Sequence, residues 1–305
     1  MSAVAAGPDL EAVCELPGPV ELPATLWPIA HGTADPTIRF AADGVWRATR
    51  LQPGPVTLQM RAVTPSTIRV RAWGPGSEAG VAAVTEMVGG LDDPTPLVPR
   101  HPILRDVIRR HPDLRLTRTR RLFDALLPAI LEQKVAGIEA RRSFRRLIYR
   151  YGEPAPGPTR LRLPPAPDRL TALPYFAFHE VGVEQRRAQV IRAAARQASQ
   201  LESAPSAEAA ERRLRAIPGI GPWTTAEVLR VAWGAPDAIS IGDYHIPNLV
   251  AWALAGEPRA DDERMLELLE PYVGQRGRVQ RLLEAAGIRI PRYGPRMPAR
   301  DFRGF

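Results

Sequence analysis

Residues 212–256 read RRLRAIPGIGPWTTAEVLRVAWGAPDAISIGDYHIPNLVAWALAG. Helical patterning lies on either side of Ile217-Pro218-Gly219-Ile220-Gly221-Pro222. Two glycines two positions apart permit a tight reversal with positive φ. A helix starting near Trp223 then opens on N–H groups that have no intrahelical partner, and these, with the helix dipole, bind a phosphate. Contacts of that kind position a nucleic acid without reading its sequence. An ordinary turn between two helices asks for the same residues, so both readings stand on this stretch alone.

Asp243 lies 22 residues beyond Gly221, just ahead of a stripe at Ile246, Leu249, Val250, Ala253 and Leu254 that marks a buried helix face. Aspartate at such a place caps the helix. A carboxylate fixed in a water-poor pocket also stabilises positive charge that develops during a reaction. The two roles coexist, because the cap would fix the carboxylate's orientation.

Outward from this core, the charge is unevenly spread. The chain has a net charge of +8 over 305 residues, and residues 100–150 hold 14 basic against 5 acidic side chains, a net of +9. A block of that kind points to a polyanion, most simply nucleic acid, although a solvated helix face has the same composition. Of the 41 basic residues only Lys134 is a lysine, so amine nucleophiles are confined to it and the N-terminus. Within the block, Leu122, Leu126 and Ile130 continue at Gln133 with helical spacing, Pro128 is expected to kink or reset that helix, and Ile138, Arg141, Phe144 and Ile148 share the face of the next one. Residues 153–170, with six prolines, read as a loop. Helices are expected again over 184–201, 207–216, 224–233, 244–254, 262–269 and 276–286.

The first 99 residues differ in kind. Residues 45–50, 56–61 and 67–73 are β-rich or alternating, a helix is expected at 77–87, and LDDPTPLVP (91–99) reads as a linker. No run of about 18 apolar residues predicts a membrane span. Cys14, the single cysteine, holds neither an intrachain disulfide nor a four-cysteine metal site. HxxxH, CxxC, GxxxxGK and GxSxG patterns are missing, which leaves zinc hydrolase, P-loop and serine hydrolase chemistry without support.

IPGIGPWTTAEV followed by GDYHI resembles the helix-hairpin-helix (HhH-GPD) DNA glycosylase superfamily, and within it the chain is most similar to the 3-methyladenine DNA glycosylase II, or alkylpurine, family. LLPAILEQKVAGIEARRSFRRLIYRYG (126–152) and HEVGVEQRRAQVI (179–191) carry the likeness across most of residues 100–290. It implies an α+β chain: a small strand-rich α/β N-terminal domain (1–96), an all-α helix-hairpin-helix glycosylase domain (97–290) and a basic C-terminal tail (291–305). It implies a monofunctional glycosylase of base excision repair, which flips out an alkylated purine such as 3-methyladenine or 7-methylguanine and hydrolyses its N-glycosidic bond. Asp243 is then the catalytic carboxylate. Gly219, Ile220, Gly221, Thr224, Gln133 and Lys134 are the DNA-binding positions, and Trp223, Glu227, Tyr244 and Tyr272 the base pocket. The backbone carbonyls of Ile217 and Ile220 would hold a monovalent cation, and no other cofactor is required. Damaged double-stranded DNA is the expected partner, with no membrane, and a cytoplasmic, nucleoid-associated monomer is the expected state.

Trp223 stands where bifunctional relatives in the superfamily carry a lysine nucleophile, so no strand cleavage is expected. The sequence departs from the family at three places. Lys134 replaces an apolar wedge residue, Glu227 an aromatic, and EPYVGQRGRVQRLL (270–283) a tryptophan-rich stretch. These departures keep two alternatives in view: a non-catalytic damaged-DNA-binding module, and a glycosylase for deaminated or oxidised bases.

Overall fold

The computed structural model describes residues 7–291 of the chain. The expected C-terminal tail falls almost wholly outside them. A five-stranded antiparallel sheet forms the N-terminal part, from β1 (Leu10–Glu15), β2 (Ile38–Ala41), β3 (Gly44–Arg50), β4 (Pro55–Thr64) and β5 (Thr67–Trp73), in spatial order β1-β5-β4-β3-β2. The one-turn helix α1 (Leu22–Leu26) lies between β1 and β2, and α2 (Ser77–Met87) closes one face of the sheet over Val56, Leu58, Met60, Ile68 and Val70. β3 departs from simple alternation and is buried at five consecutive positions because both its faces are covered. On its second face Trp46 stacks on Trp73 at 5.4 Å against Ala155, Leu161 and Leu163.

The helical part comprises α3 (Pro102–Arg110), α4 (Leu122–Leu131), α5 (Gly137–Tyr151), α6 (Pro167–Ala172), α7 (Tyr175–Glu180), α8 (Gln185–Arg196), α9 (Ala198–Glu202), α10 (Ala207–Arg215), α11 (Pro222–Ala232), α12 (Ile246–Ala255), α13 (Asp262–Leu269) and α14 (Arg276–Ala285). It holds two cores. One runs from α4 through α11; the other joins α3, which follows the linker, to α12, α13 and α14. The stretch read as a loop at 153–170 contains a two-stranded ribbon, β6 (Glu153–Pro154) with β7 (Arg162–Leu163), and the start of α6. Among the described residues no helix is long and apolar enough to cross a membrane.

Pro128 does not break α4, which runs on through it to Leu131. Proline inside a helix costs about 3 kcal/mol. Here eight of the ten residues of α4 are buried, so packing on several sides outweighs the lost hydrogen bond. Asp124, on the first turn of α4, ties that helix to the sheet by accepting from the Thr49 hydroxyl at 2.6 Å and pairing with the buried Arg47 at 3.4 Å.

The N-terminus of α4 is capped from a distance. Glu202 accepts the Leu122 and Phe123 N–H groups at 3.2 and 2.9 Å, beside Arg121. Burial pushes its carboxyl up to about 7 from 4.5 despite Arg121 and these bonds. A raised folded-state value means that the contribution to stability is fully present below 4.5 and is lost as pH rises through 7. Glu202→Gln removes that dependence. Its stability relative to the native protein is expected to improve by about 1–3 kcal/mol between pH 5 and pH 8 in paired denaturant melts. A constant difference across that range would show that the carboxyl titrates normally.

The basic block does not form one patch, which corrects the simplest reading of the charge count. Arg118 and Arg120 lie over the Trp233 ring at 5.4 and 3.9 Å and pair with Glu86 of α2, fastening the sheet domain to the end of α11. Arg121 serves Glu202, Arg109 pairs with Asp106, and Arg150 with Glu180. Arg141, Arg142 and Arg145 stand exposed on α5.

Candidate active site

The turn between α10 and α11 is a tight hairpin, in which Ile217 N–H donates to Leu214 and Ile220 N–H to Ile217 at 3.0 Å. Only one of its glycines takes a positive φ: Gly219 at +92°. Gly221 is extended at φ −98°, ψ −175° and serves as the backbone N-cap of α11, with Pro222 at the first helical position. No atom lies within 4 Å of where a side chain at Gly221 would begin, so its value is open access. The N–H groups of Gly219, Gly221, Trp223 and Thr224 donate to nothing among the described residues. They form the donor set that an anion at a helix start requires.

Side chains behind the hairpin hold it. Ile217 and Ile220 are buried, so only their backbones are available to a ligand. The Ile217 carbonyl already accepts the Ile220 N–H, while the Ile220 carbonyl accepts no hydrogen bond among the described residues; a cation there would rest on a partly committed pair. Thr224 is also buried, and its hydroxyl accepts the Gln133 amide at 2.9 Å; the same amide donates to the Gly219 carbonyl at 3.0 Å. Gln133 thus clamps the α4–α5 turn to the hairpin. Lys134 follows it at the exposed tip of that turn with φ +54°, a left-handed conformation that projects its side chain outward.

Gly219 is the position least tolerant of change. A Cβ there would lie 2.5 Å from a methyl of Val190, in a backbone region that side chains disfavour. Gly219→Ala is expected to lower stability by about 2–3 kcal/mol, from strain and overpacking together. Thermal melting checks this, and a melting temperature unchanged from native would mean that the hairpin is looser than drawn.

Asp243 lies three residues before α12, and the structure shows the helix-start role considered for it. Its Oδ1 accepts the N–H groups of His245 at 2.6 Å and Ile246 at 3.0 Å, capping the helix, and its Oδ2 accepts the indole N–H of Trp223 at 2.8 Å. The carboxylate is therefore held in one orientation, half-buried, on the first turn of α11. Asp262, at the start of α13, accepts the Gly242 N–H at 2.9 Å and fixes the preceding loop.

Glu227 lies one turn further along α11, where its Oε1 accepts from Arg230 at 3.0 Å and from the Ser240 hydroxyl. Arg230 also donates twice to Glu284 of α14, at 2.9 and 2.8 Å. Burial raises the Glu227 carboxyl; the guanidinium of Arg230 is raised in spite of burial by Glu284 and Glu227 together. These residues wall a cleft of about 650 Å³ that lies between α11, α14, the 111–117 loop and the segment around α1.

Of the four residues expected in a base pocket only Glu227 lines this cleft; Trp223, bonded to Asp243, Tyr244 and Tyr272 are not among its lining. Tyr272 is only 2% exposed, sunk in the core shared by α3 and α12–α14, where its hydroxyl accepts the His101 N–H at 3.1 Å. Tyr244 is 79% exposed beside Asp243, edge-on to His245. Sequence reasoning missed Trp27, Arg230, Glu284 and Arg281 in the cleft wall. Trp27, 48% exposed, supplies an aromatic face from the N-terminal domain. None of the four carries a local sequence signal, because each reads as part of an ordinary amphipathic turn.

No protein-family model matches the chain, and no curated protein matches its sequence. Among solved structures, it is similar to the 3-methyladenine DNA glycosylase of Archaeoglobus fulgidus, with a TM-score of 0.73, 19% identity, and 90% of this chain and 97% of that one covered. It is also similar to MBOgg1 in complex with a low-affinity DNA ligand (TM-score 0.69, 15% identity, coverage 94% and 98%). A third likeness is to the apo-form 8-oxoguanine glycosylase/lyase of Clostridium acetobutylicum (TM-score 0.67, 13% identity, coverage 93% and 98%). At these identities the likeness shows the fold alone, the α+β fold that these solved structures have in common. Proteins for alkylated and for oxidised bases share it, so the fold does not choose a lesion.

Proposed function

We propose that the protein is a DNA glycosylase that hydrolyses the N-glycosidic bond of alkylated purines without cutting the strand. The observation that carries this reading is Asp243, which accepts two backbone N–H groups and the Trp223 indole N–H, directly beside a hairpin with four N–H groups that have no partner among the described residues. The hairpin would grip a backbone phosphate, and the base, turned out of the duplex, would enter along the α11 face of Trp223 and Glu227. Positive charge developing on the sugar would meet the fixed carboxylate, an effect worth about 3–4 kcal/mol. That suffices for a base whose cationic ring already makes it a good leaving group.

Strand cleavage needs an amine at the sugar, and Trp223 occupies the helix start that faces Asp243. Arg141, Arg142 and Arg145 with Lys134 would add affinity independent of sequence, falling steeply with salt. A monovalent cation at the Ile217 and Ile220 carbonyls, a monomeric state and work on nucleoid DNA in the cytoplasm belong to the same reading.

The test uses duplex DNA treated with dimethyl sulfate. Free 3-methyladenine or 7-methylguanine should appear on chromatography, the DNA should break only after alkali, and borohydride should trap no covalent complex. Tight binding of the treated duplex with no base released would favour a non-catalytic damage-binding module. Release of deaminated or oxidised bases alone would move the reading to that class.

A further inference from the structure

We propose that the cleft between α11, α14 and α1 reads the flipped base through paired carboxylates, Glu227 and Glu284, and so selects a guanine-derived lesion over an adenine-derived one. This rests on the glycosylase reading above and names its substrate. The cleft has the volume of a small-molecule site, about 650 Å³. Its inner wall is polar where the family resemblance leads one to expect aromatics. Glu227 and Glu284 flank Arg230, with side-chain exposures of 28% and 29% against 11% for the arginine.

The pattern of committed atoms sets the selectivity. Arg230 directs its two terminal nitrogens at Glu227, Ser240 and both oxygens of Glu284. The Gln280 amide donates to Ser240 and Glu284. Ser240 donates to Glu227. The donors around Glu227, those of Arg230, Gln280 and Ser240, are committed to this cluster, while Glu227 keeps an oxygen that makes no hydrogen bond among the described residues; Arg281, further along the same cleft, donates to the Ala24 carbonyl, and its Nε makes no hydrogen bond. What Glu227 and Glu284 offer a ligand at this part of the wall is acceptor capacity. Glu227 lies four residues along α11 from Trp223, about 6 Å along the helix axis and on the same face as the indole bonded to Asp243. A purine whose sugar lies at Asp243 would present its far edge there.

A flipped base is read on its Watson–Crick edge. Guanine carries two adjacent donors on that edge, N1–H and N2–H₂, and matches a row of acceptors. Adenine presents one donor, N6–H₂, beside the N1 lone pair, and the lone pair would face a carboxylate. Methylation at N7 makes the guanine ring cationic, which strengthens both donors and adds charge attraction. Trp27, tilted at 5.3 Å against Phe40 on the facing wall, offers a ring for stacking.

Duplex DNA treated with dimethyl sulfate contains both 7-methylguanine and 3-methyladenine, so one incubation measures the choice. Release normalised to lesion abundance should favour 7-methylguanine tenfold or more in the native protein. Glu227→Gln places a donor beside an acceptor, the pattern an adenine edge needs, and should reduce that ratio at least tenfold. Glu284→Gln, which leaves Glu227 in place, should shift it in the same direction and serves if the first variant does not fold. A ratio near one in the native protein, or one unmoved in both variants, overturns the inference while the glycosylase reading stands. Release of 8-oxoguanine alone, lost in Glu227→Gln, would support reading of the guanine edge and remove the alkylpurine assignment. No base released from any of these duplexes would sink both.

Discussion

Asp243→Asn is expected to lower base release from methylated duplex by about 10²–10³-fold, while leaving DNA affinity within a fewfold of native. The structure shows why the two properties separate. Phosphate binding would rest on N–H groups of the 217–224 hairpin, and none of these depends on the charge of Asp243. The cap also survives in part, since an asparagine oxygen still accepts from His245 and Ile246. What is lost is the negative charge that, in the proposed reaction, would face the sugar. The atom that replaces Oδ2 becomes a donor facing the Trp223 N–H, at a cost of about 1–2 kcal/mol of stability. Single-turnover base release, paired with fluorescence anisotropy on the same DNA, checks both halves. Native-like release from the variant would move the chemistry away from Asp243. Loss of binding together with release would show that the carboxylate organises the hairpin instead.

The second large effect concerns Arg230. Arg230→Met keeps the length and apolar stem of the side chain but leaves Glu227 and Glu284 facing each other without a counter-ion. Removing one partner of a buried charge cluster costs about 3–5 kcal/mol. For a chain of this size that corresponds to a fall in melting temperature of about 5–8 °C. The loss should depend on pH. Burial already raises the Glu227 carboxyl, and without Arg230 it is raised further. A raised folded-state value makes the neutral form the stable one, so the variant should recover as pH falls toward 4.5, the ordinary value for the group. Melts at pH 5 and pH 8 decide it. A variant within 2 °C of native at both would mean that solvent already screens the cluster, and that the cleft is more open than its side-chain packing indicates.

The elements of the site differ in how far the chain itself announced them. Gly219, Pro222 and Asp243 are local signals: a positive φ, a fixed φ at a helix start, and a cap three residues from its N–H donor. Each acts within a few residues, so spacing alone exposes it. Even here the local rule overreached at Gly221, which is extended and matters for open space. Pro128 shows the opposite error, because a local breaker yielded to the packing around α4. Gln133 was placed at the site, but its partners, Gly219 and Thr224, lie about 90 residues away. Tyr272 matched by position and packs in another core altogether.

The basic block teaches the same lesson about charge. Composition counts formal charges; it does not see Glu86, Glu202 or Trp233 arriving from elsewhere to engage Arg118, Arg120 and Arg121. The exposed α5 arginines and Lys134 keep the character that the count suggested, as do Arg100, Arg105 and Arg110, which are exposed and outside the ion pairs described above.

By itself the sequence determined the two-part architecture, the hairpin, and the aspartate that caps the helix after it, because turns, caps and amphipathic faces are set by neighbours within a helical turn or two. The tertiary structure alone decided what lines the cleft. Trp27, Glu227, Arg230 and Glu284 come from three elements separated by up to 257 residues, and their meeting depends on how α1, α11 and α14 pack. A carboxylate's partner, and hence whether it is a solvated side chain or half of a recognition wall, is a property of that packing and has no counterpart in local spacing.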